Sequence, residues 1–387
     1  MTETGRRGFL VYTAAAAVTT GCLGGNREGD SGEEGFGVET VADGLEQPWG
    51  IAFLDQTRFL VTELPGRLRL VDTEDGTDRK VDGTPEVESA GQGGLLDVTP
   101  HPEYPEDEHV YLTYSASDGG PETATHVGRG RLDPGGARIR EYEVLNVAEP
   151  FVDSVNHYGS RVVFGDDGMV YVTSGDRQFK NFGPRHVAQD VTNELGCILR
   201  LEPDGSVPDD NPFVGDPMAR DTVYSYGHRN PQGLTVGPGG ELWESEHGER
   251  DGDEINVIEQ GGNYGWPVVT EACEYGTDKP VGVGHDERDG VTGPVYVWEC
   301  GTGGFPPAGM TFYTGDVFPD WRGDLFVGNL AGTYLGRFGV EGRDVREKEP
   351  LLDGRDWRVR DVAEGPDGYL YVLVDGEDAP VVRLVPN

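Results

Sequence analysis

From Val38 to the C-terminus one unit recurs six times: a polar loop, an apolar strand ending near Pro, Asp or Gly, a tight turn, and a second strand of alternating polarity. The copies cover residues 49–62, 95–114, 160–173, 233–245, 310–328 and 359–373. Turn pairs such as Asp167 with Gly168, Gly239 with Gly240 and Asp367 with Gly368 are hairpin signals, because glycine accepts the positive φ that twisted strand pairs require. Further strand candidates follow each pair, for instance residues 68–71, 198–201 and 381–384. Six such units with irregular insertions predict an all-β fold, a six-bladed β-propeller. The 61 glycines and 26 prolines, with 35% hydrophobic residues and no long stretch of helical periodicity, favour the same short strands and turns.

A propeller brings together loops that are distant in sequence, because the loop entering the first strand of every blade meets the others at one end of the central channel. Gln92, His157, Arg229 with Asn230, and Arg358 with Arg360 all occupy that recurring position. Asp176 follows the second strand of the third unit, so antiparallel pairing sets it beside His157, where it can fix one tautomer and leave the other ring nitrogen basic. A lone histidine is more often structural, and these residues alone leave both roles open. Arg358 and Arg360 alternate along a strand and so share a side, where two guanidiniums repel unless an anion lies between them.

Residues 224–267 concentrate the polar chemistry. Gly-His-Arg-Asn-Pro-Gln-Gly, residues 227–233, is broken by Pro231 and flanked by glycines, so it reads as a loop that presents a guanidinium and a carboxamide to an oxygen. Residues 247–254 then supply carboxylates and free-turning carbonyls, the oxygen-rich set that Ca2+ prefers, without the spacing of an EF-hand. Asp-Glu-Ile-Asn at 253–256 and Gly-Gly-Asn-Tyr-Gly-Trp-Pro at 261–267 complete the window.

This combination resembles the soluble glucose/sorbosone dehydrogenases, which depend on pyrroloquinoline quinone (PQQ), and the similarity runs from about Val38 to the end. The resemblance implies PQQ and Ca2+ as cofactors and an aldose sugar as substrate, oxidised to a lactone by hydride transfer. It makes His157 the base, oriented by Asp176, with Arg229 beside the quinone oxygen. It assigns Gln92, Asn230, Arg358 and Arg360 to cofactor and substrate, and the carbonyls of Gly248 and Glu249 to the metal. Asp253 and Glu254 match acids of the same loop, with a ligand or a structural role open. Three departures stand out: Asn156 where the family has Asp before the histidine, Glu249 where it has Pro, and Ala331 or Gly332 where glucose enzymes carry a lysine that reaches the cofactor.

The formal net charge is -39, from 70 acidic and 31 basic residues, and the acid is dispersed. That excludes a nucleic-acid partner, which needs clustered Lys and Arg, and suggests a surface adapted to high salt. Arg6 and Arg7 precede a short apolar run, residues 9–18, and Cys22 follows a small residue, which reads as a twin-arginine signal with a lipobox over residues 1–22. An acidic, Gly- and Ser-rich tether over 23–37 and the propeller over 38–387 complete the domain plan. The expected location is the outer face of the cell membrane, touched only through a lipid on Cys22, with the external electron acceptor undefined. Cys273 and Cys300 flank an acidic insertion and are either a disulfide or two thiols. Cys197, in an apolar run, reads as a buried hydrophobe. Two other functions remain open: an extracellular binding module of this superfamily that has lost PQQ, as hedgehog-interacting proteins suggest, and a Ca2+-dependent lactonase, which should ring the channel with carboxylates and asparagine rather than arginine.

Overall fold

The computed structural model describes residues 35–387, so the expected signal, tether start and Cys22 lie outside the described residues. The predicted ring is present as six four-stranded antiparallel sheets. Blade 6 is closed by the first strand, β1 (Phe36–Leu45), which pairs with the last. Blade 1 is β2 (Pro48–Phe53), β3 (Arg58–Glu63), β4 (Arg67–Asp72) and β5 (Thr77–Val81). Blade 2 is β6 (Leu95–Pro100), β7 (His109–Ser117), β8 (Thr123–Asp133) and β9 (Arg138–Val147). Blade 3 is β10 (Val162–Phe164), β11 (Val170–Ser174), β12 (Cys197–Leu201) and β13 (Val223–Tyr226). Blade 4 is β14 (Pro231–Val236), β15 (Leu242–Glu246), β16 (Asp253–Ile258) and β17 (Tyr296–Trp298). Blade 5 is β18 (Pro307–Phe312), β19 (Leu325–Asn329), β20 (Leu335–Glu341) and β21 (Asp344–Glu347). β22 (Val359–Glu364), β23 (Leu370–Val374) and β24 (Ala379–Pro386) make up the rest of blade 6.

Each of the six repeats read from the sequence falls on the first two strands of one blade. Closure by β1 removes the open edge that a linear array would leave. β1 starts at Phe36, two residues before the expected Val38, because Phe36 is buried edge-on against Trp321 at 5.7 Å. The core is divided among the blade interfaces. Leu60 and Leu70 of blade 1 meet Val98 and Leu112 of blade 2, and Tyr371 and Leu373 of blade 6 meet Ile51 and Phe59 of blade 1. Every neighbouring pair of blades shares such a cluster, so the ring is held by interdigitated side chains around its whole circumference.

One backbone device positions the channel-facing residues. In five of the six innermost strands the register against the second strand slips near the start, between Pro48 and Ile51, Leu95 and Val98, Pro231 and Gly233, Pro307 and Met310, and Val359 and Asp361. A bulge leaves residues unpaired and re-aims their side chains. Asp97, Gln232 and Arg360 fall within these slips.

On the channel, Arg161 donates through Nη1 to Asp97 at 3.1 Å and to Asp361 at 2.9 Å, and through Nε to the Gln232 carbonyl at 3.0 Å. Its guanidinium also stacks 4.2 Å from the Trp49 ring. These partners come from blades 1, 2, 4 and 6, so a single buried cation ties the ring together. Only glycine fits at position 309, where a Cβ would come within 1.6 Å of Asp361 Oδ1.

Candidate active site

His157 and Asp176 meet as the repeat predicts. His157 lies in the loop entering β10 with φ of 52°, and Asp176 follows β11. The imidazole Nδ1 is 2.7 Å from Asp176 Oδ1 and both side chains are buried, which leaves Nε2 as the basic nitrogen. Asp176 is fixed in turn: Trp266 Nε1 donates to Oδ2 at 2.8 Å and the Gln178 amide donates to Oδ1 at 2.8 Å. Burial depresses the His157 pKa, the charge of Arg229 adds to that, and Asp176 opposes it. Burial would raise Asp176, but the His157 bond and the charges of His157, Arg229 and His186 outweigh it, so the carboxylate stays ionised.

Gln92 reaches this pair from blade 2. Its Oε1 accepts the His157 backbone N–H at 2.8 Å, so it positions the histidine as well as lining the channel. Asn230 approaches from blade 4, its Oδ1 accepting the Gly159 N–H at 3.2 Å. Asn156, beside the histidine, donates to Gln178 at 3.0 Å. Arg229 lies 5.2 Å from the Trp266 ring and donates through Nη2 to Glu249 at 2.6 Å. Lys180 grips the same Glu249 carboxylate at 2.5 and 2.6 Å.

The late arginines form a second group on a cavity of about 320 Å3 that Gln92, Trp49, Gln232, His247 and Ala331 also line. Arg358 and Arg360 both reach Asp375 Oδ2, at 3.0 and 3.2 Å, and Arg360 also donates to Gln232 at 3.0 Å. One carboxylate shared by two guanidiniums leaves an excess positive charge. His247 is held neutral, its pKa depressed to about 3 by burial and by Arg229, with its Nε2 donating to the Pro307 carbonyl at 2.7 Å.

Three buried nitrogens here have no partner: Arg229 Nε, Asn230 Nδ2 and Arg360 Nε. An orphaned buried donor costs about 1–3 kcal/mol, so three, two on the loop entering blade 4 and one at the bulge in the first strand of blade 6, mark a place for an acceptor-rich ligand. The residues named for an anionic, oxygen-bearing quinone therefore suit it. The Gly248 and Glu249 carbonyls accept no hydrogen bond from the described residues, which leaves them open to a hard cation. Not all four expected metal residues are free to bind, however. Asp253 spends both oxygens on backbone amides, Gly248 N–H at 2.9 Å and Phe305 N–H at 2.7 Å, and burial raises its pKa to about 6. Glu254 lines a small crevice with Gly248, Arg229, Glu246 and Trp266, its pKa driven well up by burial and by the neighbouring Glu246 charge. The Glu249 side chain serves Arg229 and Lys180.

Cys273 and Cys300 are joined, with Cα atoms 5.6 Å apart, closing the insertion against the 247–252 loop through the Arg250 N–H to Cys273 carbonyl bond of 3.2 Å. Cys197 is a buried free thiol whose pKa burial pushes up. The sequence reading missed Lys180, Gln232 and Asp375. Asp375 had a signal: it follows the second strand of its blade just as Asp176 does. Lys180 had none, since it lies in an irregular segment between β11 and β12.

Comparison with known proteins places this geometry among relatives. A family model described as Glucose / Sorbosone dehydrogenase matches residues 45–383. An aldose sugar dehydrogenase of Escherichia coli (strain K12) is 36% identical over 90% of this chain and 93% of its own. A crystal structure of glucose dehydrogenase is 40% identical, with a TM-score of 0.84 over 90% of this chain and 99% of that one. The PQQ-bound form of an aldose sugar dehydrogenase from Streptomyces coelicolor is 29% identical, with a TM-score of 0.74 over 90% of this chain and 98% of that one.

Proposed function

Because this chain belongs to the glucose/sorbosone dehydrogenase family and is an oxidoreductase of that family, we propose that it oxidises aldose sugars to lactones with PQQ and Ca2+ held at the channel mouth. The observation that carries the reading is the set of unpartnered buried donors on Arg229, Asn230 and Arg360 next to a buried His157–Asp176 pair. When bound, PQQ supplies a two-electron quinone acceptor. Arg358 and Arg360, with the third charge of Asp375 between them, would hold its carboxylates, and Asn230 its polar edge. The open carbonyls of Gly248 and Glu249 would hold Ca2+.

In this reading His157 Nε2 takes the proton of the anomeric hydroxyl, the proton whose loss must accompany oxidation of C1 to the lactone carbonyl. Asp176 holds the imidazole in that tautomer and stabilises the imidazolium that forms. Arg229 would hold a positive charge beside a bound quinone and so would favour the negative charge that reduction adds to it. Glu249 and Lys180 fix the Arg229 guanidinium from the outer side. Position 331 is alanine and adds no cation, so the carboxylate clamp rests on the two late arginines. Export by the twin-arginine route with a lipid on Cys22, and a surface suited to high salt, belong to the same proposal and rest on the sequence.

Three arginines, 229, 358 and 360, at the recurring loop position argue against the lactonase alternative, and the retained His157–Asp176 pair argues against a bare binding module. The test is anaerobic: protein reconstituted with PQQ and Ca2+ in high salt is mixed with an aldose while the quinone absorbance is followed. Loss of the oxidised quinone band with stoichiometric lactone supports the reading. A folded, PQQ-loaded protein that leaves a panel of aldoses untouched overturns it.

A further inference from the structure

Blade 4 contains a second polar site, outside the channel chemistry, on one face of its two middle strands. Glu244 and Glu246 of β15 share that face by strand alternation, and their register partners on β16 are Asn256 and Glu254. His228, from the loop that enters β14, stacks on Tyr264 with ring centroids 4.6 Å apart and comes down onto the glutamates. One ligand atom from each of His228, Glu244 and Glu246 lies within 4.8 Å of the others, and all three side chains are buried.

The bonding around this group is unbalanced toward acceptors. Glu244 Oε2 accepts from Asn256 Nδ2 at 3.0 Å, yet Glu244 Oε1 and Asn256 Oδ1 are both buried without a partner. Glu246 accepts the Arg229 backbone N–H, but no Lys or Arg side chain among the described residues bonds to Glu244 or Glu246, because the Arg229 guanidinium turns to Glu249. His228 Nε2 lies 3.0 Å from Ser225 Oγ, and its Nδ1 lies 3.1 Å from Glu246 Oε1. A ring N–H held by a hydroxyl on one side, with the other nitrogen aimed at a carboxylate, is how a protein orients a metal-binding imidazole. Unpartnered acceptors sealed in a sheet interior call for a positive charge, since each orphan otherwise costs its full desolvation.

We propose that His228 Nδ1, Glu244, Glu246 and Asn256 Oδ1 bind one divalent cation inside blade 4. One imidazole nitrogen with three oxygens suits Zn2+ or Mn2+, whereas the all-oxygen loop at Gly248 and Glu249 suits Ca2+. The cation would clasp the loop of residues 227–230 to β15 and β16, which fixes the backbone that carries Arg229 and Asn230. The assignment is independent of the redox reading.

The probes are Zn2+ alone, Mn2+ alone and Ca2+ alone. Full-length protein produced with each metal is passed through a chelating column, and bound metal is counted by mass spectrometry for the wild type and Glu244→Gln, with Tm recorded for both. The expected result is one Zn2+ or Mn2+ per wild-type chain, at least tenfold less in the variant, and a metal-dependent rise in Tm confined to the wild type. Asn256→Ala, read in the same way, replaces Glu244→Gln should the latter fail to fold. A folded wild type carrying no Zn2+ or Mn2+, or variants retaining the wild-type amount, overturns the assignment.

Discussion

Arg161 and Arg229 both meet acidic side chains on the channel side of the ring, yet the charge balance around them differs: two carboxylates face Arg161, whereas Arg229 shares Glu249 with Lys180. Arg161 is enclosed by Asp97, Asp361, the Gln232 carbonyl and the Trp49 ring, with Nη2 alone unpartnered. At the mouth, Arg229, Asn230 and Arg360 each keep a buried donor free, and Arg358 and Arg360 divide a single carboxylate. In the first cluster two carboxylates answer one guanidinium, which works as a rivet between blades. The second closes only when something rich in acceptors arrives. The same residue types therefore serve structure or ligand binding according to whether the chain balances their charge.

The largest effect should come from the mouth. His157→Ala is expected to lower turnover by about 10²–10⁴-fold while PQQ binding and Tm stay near wild type, as read by stopped-flow reduction and thermal unfolding. Unchanged turnover would remove His157 from the chemistry. Arg161→Ala should do the reverse, destabilising the fold by about 3–5 kcal/mol in denaturant titration, because it leaves Asp97 and Asp361 buried without their cation. If Arg161→Ala changed turnover and spared stability, the contrast between rivet and cradle would fail.

A smaller loss, about 2–4 kcal/mol by the loop-entropy argument, should follow from Cys273→Ser with Cys300→Ser, since the bond spans a sequence separation of 27 residues. It should be accompanied by faster hydrogen exchange in the 247–252 loop and unchanged exchange at the Arg161 cluster. The smallest effect is on pH. A base must be neutral, and the His157 pKa lies below its ordinary value through burial and Arg229, so activity should persist as pH falls through about 6.5 and decline only below it. An acidic limb with an apparent pKa above about 6.5 would contradict this placement.

The ring was legible in the sequence because its signals are local: alternation in each strand, Asp-Gly turns, and six returns of one unit. The meeting of His157 with Asp176 was legible for the same reason, being a matter of strand ends. What stayed hidden depends on side chains from three or more blades. Nothing in residues 161, 97 and 361 taken singly announces one ion cluster, and the bulges that turn Asp97, Gln232 and Arg360 inward have no pattern of their own. Lys180 reaches Glu249 from an irregular segment, so no periodicity points to it. Asp253 was read as a candidate ligand from its place in an acidic loop, and the structure gives its oxygens to Gly248 and Phe305, a local use that composition does not reveal.

The central claim is that the mouth is an incomplete cradle for an anionic quinone, and a direct measurement is PQQ titration of the apo-protein with Ca2+ in high salt, for wild type and for Arg358→Ala with Arg360→Ala. The account predicts saturable binding at one PQQ per chain, weakened at least tenfold in a double variant shown to be folded at the titration temperature. Equal affinity in both proteins, or no binding to a folded wild type, would contradict it.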